Sequence, residues 1–217
     1  MPGSKEDCED WGQAAQSYDA EYRSMVGEAF ENEIRTWLAR QVMDADKVLE
    51  LGCGTGIFSA MIAERVKHLT ATDSSPEMLE QATQRLGGYP NAEIRKEDAY
   101  HTSFADGSFS AVLTVNLLHH VDAPGTILQE CRRVLTPGGK LVVIECAGHG
   151  TSLWSWIKTG LGYLRRWGRV SENHHHLSSD DLTTLVTDAG LAVQETKLLG
   201  QHRPRMGFIC LRAMNAA

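Results

Sequence analysis

The stretch VLELGCGTGIFSAMIAE, from Val48 to Glu64, constrains the fold more than any other. An apolar run stops at Gly52, Gly54 and Gly56, and apolar residues then resume at helical spacing. The run reads as a buried strand. Phe58, Met61 and Ile62 share one face of a helix expected from Gly56 to about Val66. Glycine lets the backbone pass close to a ligand with no Cβ in the way, and N–H groups at the helix start are expected to face that ligand. Cys53 is expected to pack beneath the turn. The spacing departs from the dinucleotide fingerprint G-x-G-x-x-G, because Ile57 stands where the third glycine would be.

The same alternation continues along the chain. HLTATD reads as a second strand ending at Asp73. SSPEMLEQATQRLGG has a serine cap, Pro76 at the first helical position and a Gly87-Gly88 stop. AEIRKEDA and FSAVLTVN read as strands three and four, the latter ending at Asn116. Asp122 and Pro124 open a helix, TPGG makes a turn, and KLVVIEC is a fifth strand. SSDDLTTLVTDAG is a capped helix ended by Gly190, and LAVQETKLL and RMGFICLRA form a closing strand pair. Before all this, Trp11 to about Gln41 reads as helical, with Phe30, Ile34, Trp37 and Leu38 at helical spacing. Strands alternating with helices predict a mostly parallel sheet covered on both faces. Ligands then bind beyond the carboxyl ends of the strands, where the strand order reverses. Gly52–Gly56, Asp73, Asp98 and Asn116 all fall at such ends.

The 217 residues, 42% of them hydrophobic, suit one domain, and the net charge of −7 argues against a nucleic-acid partner. Cys8, Cys53, Cys131, Cys146 and Cys210 are scattered and never in C-x-x-C spacing, so neither a disulfide framework nor a cysteine metal site is expected. With no spanning run and a polar, acidic start, a cytoplasmic location is expected.

A carboxylate at Asp73 can accept both hydroxyls of a ribose and repels a ribose phosphate. Asp73 could instead cap the helix that begins at Pro76, but Ser74 and Ser75 can take that role and leave it free. Met78 can lie against an adenine. Asp98, with Ala99, can accept the adenine amino group, or it can be a solvated loop acid beside the equally acidic Glu97.

VLELGCGTG, ATDSSPEML, EDA, FSAVLTVNLLHHV and RVLTPGGKLVVIE resemble the successive motifs of class I S-adenosylmethionine-dependent methyltransferases, in order and spacing, over about residues 46–146. The branch most resembled holds ubiquinone/menaquinone-biosynthesis and other small-molecule enzymes. The resemblance implies an α/β, Rossmann-like doubly wound sheet of seven mostly parallel strands with an antiparallel C-terminal strand. It implies one methyltransferase domain over 1–217, with an N-terminal helical cap (10–42), a cofactor core (46–146), an insert or lid (149–177) and a C-terminal helix and strand pair (178–217). It implies S-adenosyl-L-methionine as cofactor and S-adenosyl-L-homocysteine as product. Glu50, Gly52, Cys53, Gly54 and Gly56 would form the cofactor loop. Asp73 and Ser74 would meet the ribose, Met78, Asp98 and Ala99 the adenine, and Asn116 the methionine part. Trp11, Tyr18 or Tyr22 would close the site from the N-terminal helices, Tyr18 on the cofactor and Tyr22 on the acceptor.

Methyl transfer from a sulfonium needs a nucleophile in line with the S–CH₃ bond, and a general base only if that nucleophile arrives protonated. His119 and His120 follow strand four and are the candidate bases, with a packed-and-rim histidine pair as the alternative. His174–His176 is a second cluster; adjacent side chains of an extended loop alternate in direction, so no metal site is expected. One of them, His174, is a candidate acceptor contact together with His119, Tyr22 and Trp154. Residues 151–170, TSLWSWIKTGLGYLRRWGRV, carry four basic residues and no acidic one, with apolar and basic residues on opposite helical halves at about 100° per residue. The segment is read as a lid over a small-molecule acceptor, with peripheral membrane contact and self-association as alternatives. The rivals to a methyltransferase are a nicotinamide oxidoreductase, which Ile57 opposes, and a catalytically silent cofactor-binding subunit that serves a partner.

Overall fold

The computed structural model describes Ala15 and residues 18–43, 45–147, 177–200 and 207–215. Helix α1 (Tyr18–Val26) and helix α2 (Glu28–Val42) precede β1 (Lys47–Leu51). Then come α3 (Ser59–Ala63), β2 (His68–Asp73), α4 (Pro76–Leu86), β3 (Ala92–Lys96) and β4 (Phe109–Val115). A 3-10 turn (Leu118–His120) leads to α5 (Pro124–Val134), β5 (Leu135–Ala147), α6 (Ser179–Asp188), β6 (Leu191–Leu199) and β7 (Gly207–Asn215).

The strands form one seven-stranded sheet in the order β3-β2-β1-β4-β5-β7-β6. Strands β1 to β5 pair in parallel, while β7 runs antiparallel to both β5 and β6. This is the doubly wound architecture the alternation predicts. Period-2 alternation assigns successive side chains to opposite faces. Val48, Leu113 and Val142 join a core with Ile34 and Leu38 of α2, Ile62 of α3 and Ala82 of α4. Their neighbours Leu49, Val112 and Val143 join a second core with Ile127 and Leu128 of α5 and Leu182 of α6. Each fully buried aliphatic side chain contributes about 1.5–3 kcal/mol, so the central strands hold the two layers together. The strand order reverses between β1 and β4, so their carboxyl ends flank the switch point.

Several elements differ from expectation. AEIRKEDA is a strand only from Ala92 to Lys96, so Asp98 and Ala99 lie in the loop beyond β3 rather than at its end. The N-terminal helix is two, broken at Gly27, whose φ of 77° no helix accommodates. The helix after the glycines is short, Ser59–Ala63, because the turn occupies the preceding residues. TPGG is not a turn between elements but a bulge inside β5: Phe109 pairs with Leu135, and two residues later Ala111 pairs with Lys140.

Candidate functional site

The loop after β1 has Gly52, Gly54 and Gly56 all at positive φ, 68°, 54° and 77°. Their surroundings differ. A Cβ on Gly56 would lie 3.3 Å from Ala82 Cα, so this glycine lets α4 close on the loop. A Cβ on Gly54 would meet nothing within 4 Å, so this position faces open space. Three of the turn's amides hydrogen-bond within the protein. Cys53 N–H donates to Thr72 O (2.8 Å), Gly54 N–H to Asp73 Oδ2 (2.8 Å) and Gly56 N–H to Cys53 O (2.9 Å). The first two of these bonds tie the turn to the end of β2. Cys53 is buried, as expected beneath the turn.

Asp73 is not left free by the serines. Its Oδ2 takes the Gly54 N–H and its Oδ1 the Ser75 N–H (2.9 Å), while Ser75 caps α4 by accepting from Met78 N–H at 3.3 Å. Each carboxylate oxygen keeps further acceptor capacity. Burial pushes the Asp73 carboxyl above its ordinary range, against the hydrogen bonds from Ser75, Gly54 and Ser74. Ser74 is exposed, and Met78 is buried against Ala15 and Tyr18.

Of the two acids after β3, Glu97 is tied to Ser103 N–H (2.9 Å), the Ser103 hydroxyl (2.5 Å) and Arg95 (3.2 Å). Asp98 is exposed and accepts Tyr100 N–H at 2.9 Å. Ala99 is half-buried beside the second core. Asn116 directly follows β4, at a φ of 54°. Its N–H donates to Ile144 O at 2.8 Å, while its buried Oδ1 has no hydrogen-bond partner among the described residues. An unsatisfied buried acceptor costs about 1–3 kcal/mol, so a ligand donor there would be favoured.

Glu50 is buried in β1 and accepts the Ser59 hydroxyl at 2.5 Å. Burial raises its carboxyl to about 7, the Ser59 bond opposing and the Asp73 charge adding to the rise. Between the ordinary 4.5 and about 7, folded Glu50 keeps a proton that the unfolded chain has released. Stability therefore falls as pH rises through this window, by about 3 kcal/mol in all. Urea unfolding at pH 5 and pH 8 is expected to show Glu50→Gln gaining on the wild type at the higher pH. A difference that does not change with pH would contradict this assignment.

His119 Nδ1 lies 2.5 Å from Glu145 Oε2, and Glu145 Oε1 accepts Leu117 N–H (3.0 Å) and Leu118 N–H (2.7 Å). The His119 and His120 rings are 3.8 Å apart. Tyr22 is buried, stacks on Tyr18 at 6.4 Å and meets Phe58 edge-on at 5.8 Å. Its hydroxyl has no hydrogen-bond partner among the described residues, and burial raises its pKa. Trp11, Trp154, His174–His176 and the segment 151–170 lie outside the described residues.

The sequence reading missed Glu145 and a latch on the loop. Asp19 accepts the Thr55 hydroxyl at 2.6 Å and pairs with Arg85, which also donates to Thr55 O at 2.6 Å. The latch fastens α1 and α4 to the glycine turn. Glu145 had a signal, a lone acid in the apolar run LVVIEC. The latch had none, since its members are far apart in sequence.

Residues 49–143 match the family model described as a methyltransferase domain. The chain is 36% identical over 163 residues to a ubiquinone biosynthesis O-methyltransferase of Xanthomonas oryzae pv. oryzae, covering 72% of this chain and 67% of that protein. It is 40% identical over 100 residues to a demethylmenaquinone methyltransferase of Clavibacter sepedonicus, covering 46% of this chain and 41% of the relative. Several curated relatives are matched over less than two thirds of their length. The structure of the N-methyltransferase NodS from Bradyrhizobium japonicum in complex with S-adenosyl-L-homocysteine superimposes with a TM-score of 0.73, covering 97% of this chain and 99% of that one at 22% identity. The chain belongs to the class I S-adenosylmethionine-dependent methyltransferases. Its site fits that cofactor: open space at Gly54, acids ending β2 and following β3, and an unsatisfied amide oxygen after β4.

Proposed function

We propose that this chain transfers a methyl group from S-adenosyl-L-methionine to a small, partly apolar acceptor by direct displacement. The observation that carries this reading is the buried, unsatisfied Asn116 Oδ1 beside the switch point, where the donor's methionine part would lie. Asp73 would hold the ribose with Ser74 beside it, Met78, Asp98 and Ala99 the adenine, and Glu50 and the glycine loop the floor, with Tyr18 closing above. S-adenosyl-L-methionine held there would supply its methyl group to an acceptor atom in line with the S–CH₃ bond, with S-adenosyl-L-homocysteine as the leaving group. Orientation supplies much of the rate. A hydroxyl acceptor gives its proton to His119, with His120 against the same ring.

The ubiquinone and demethylmenaquinone enzymes among the relatives favour a quinol-like or phenolic acceptor. Such an acceptor could be reached at a membrane surface through residues 151–170. Among the described residues no helix is long and apolar enough to cross a membrane. Tyr22, Trp154 and His174 are the further acceptor contacts proposed. The purified chain, given labelled S-adenosyl-L-methionine and a panel of naphthohydroquinones, catechols and amines, is expected to methylate a quinol or phenol. Cofactor binding with no methyl transfer to any acceptor would favour the silent-subunit alternative. Tighter binding of NAD than of S-adenosyl-L-homocysteine would overturn the reading.

A further inference from the structure

We infer that Glu145 is a positioning residue: it fixes the tautomer of His119 so that Nε2 is the basic nitrogen. The inference rests on the proposed role of His119 as proton acceptor, and it adds a residue to that role.

Glu145 is fully buried in β5, and both of its oxygens are engaged. Oε1 receives two backbone N–H groups, from Leu117 and Leu118, and Oε2 lies 2.5 Å from His119 Nδ1. An ionised carboxylate can only accept, so the shared proton belongs on Nδ1, and the neutral imidazole then carries its lone pair on Nε2. The Leu117 and Leu118 amides fix Oε1 as an acceptor, which leaves Oε2 to face the ring.

Location makes the tautomer consequential. The turn carrying His119 starts two residues after Asn116, the residue with the orphaned oxygen. It abuts the cofactor loop so closely that a Cβ on Gly52 would come within 2.8 Å of the Leu117 side chain. A residue needed only to pin the turn would require a single oxygen. Here the same carboxylate pins the turn through one oxygen and orients the histidine through the other.

Glu145→Gln separates these two functions. The glutamine oxygen can still accept from Leu117 and Leu118, but its amide now donates to Nδ1 and forces the proton onto Nε2. The full-length chain, with ¹⁵N-labelled histidine and saturating S-adenosyl-L-homocysteine at pH 8.5, reports the tautomer by NMR. The wild type is expected to show His119 protonated at Nδ1, and Glu145→Gln is expected to show it protonated at Nε2. A wild-type His119 protonated at Nε2 overturns the inference without recourse to any variant.

Turnover tests the link to catalysis, with a naphthohydroquinone or catechol that the wild type methylates. Glu145→Gln and His119→Asn are each expected to lower kcat by about 10²–10⁴-fold, with KM for S-adenosyl-L-methionine changed less than about threefold. The double variant is expected to lose no more than the worse single one, because the pair acts as a unit. Additive losses would overturn the inference. A flipped tautomer with unchanged kcat would support Glu145's hold on the ring and overturn the proton-acceptor role of His119.

Discussion

Asp73→Asn is expected to weaken binding of S-adenosyl-L-homocysteine by about 100-fold or more while the chain remains folded. Hydrogen bonds to a charged group contribute about 1.5–3 kcal/mol each, and a ribose offers two hydroxyls to this carboxylate. The effect has a second source within the protein. Asp73 already joins the loop after β1 to the start of α4 by taking the N–H groups of Gly54 and Ser75. An asparagine has one acceptor oxygen, so its NH₂ must face one of those two donors, and the loop loses an anchor as well as the ligand. Ser75→Ala is the matched control. It removes the α4 cap at a cost of about 1 kcal/mol and leaves the carboxylate in place, so binding should change only a few-fold. Calorimetry with S-adenosyl-L-homocysteine, alongside thermal melts of all three proteins, makes the comparison. An Asp73→Asn chain that is folded and binds within fivefold of the wild type would remove Asp73 from the site.

Sequence patterns located several strands well: HLTATD, next to the sheet's centre, and LAVQETKLL, at its edge with alternating burial, are observed with the expected limits, His68–Asp73 and Leu191–Leu199. The positions of the site residues followed from that, since Asp73 and Asn116 are simply where two strands run out. Patterns failed where a backbone choice is made by packing. Nothing local to TPGG says that β5 resumes pairing with β4 upstream of it, as Leu135 does with Phe109. Gly27 can sit inside a helical pattern at a modest cost or break it, and periodicity does not choose. The roles of buried acids were half legible. Glu50 and Glu145 stand out as charges in apolar runs, but their partners, the Ser59 hydroxyl and the His119 ring, depend on which loops the topology brings to the sheet's edge. The choice between Glu97 and Asp98 likewise needed Ser103 and Arg95, which claim Glu97 for structure.

The glycines separate binding from folding, and the second large effect follows from that. Gly54→Ala and Gly56→Ala both place a Cβ at positive φ, 54° and 77°, which costs about 1–2 kcal/mol in either case. Their further costs diverge. The new methyl at position 54 projects into open space, so the empty protein suffers no clash. At position 56 it lies 3.3 Å from Ala82 Cα and 3.4 Å from Ala82 Cβ, and the obstacle includes helix backbone, so α4 itself must move. Overpacking of that kind adds about 1–3 kcal/mol. Gly56→Ala should therefore be the less stable variant in urea by about 1–3 kcal/mol. Gly54→Ala should be the one that stays folded yet binds S-adenosyl-L-homocysteine at least about tenfold more weakly, a loss of about 1.4 kcal/mol. Its methyl occupies the space that the cofactor needs in order to pass close to the loop. If Gly54→Ala binds like the wild type, that open space is not the cofactor's, and the ligand must be held by the strand ends alone.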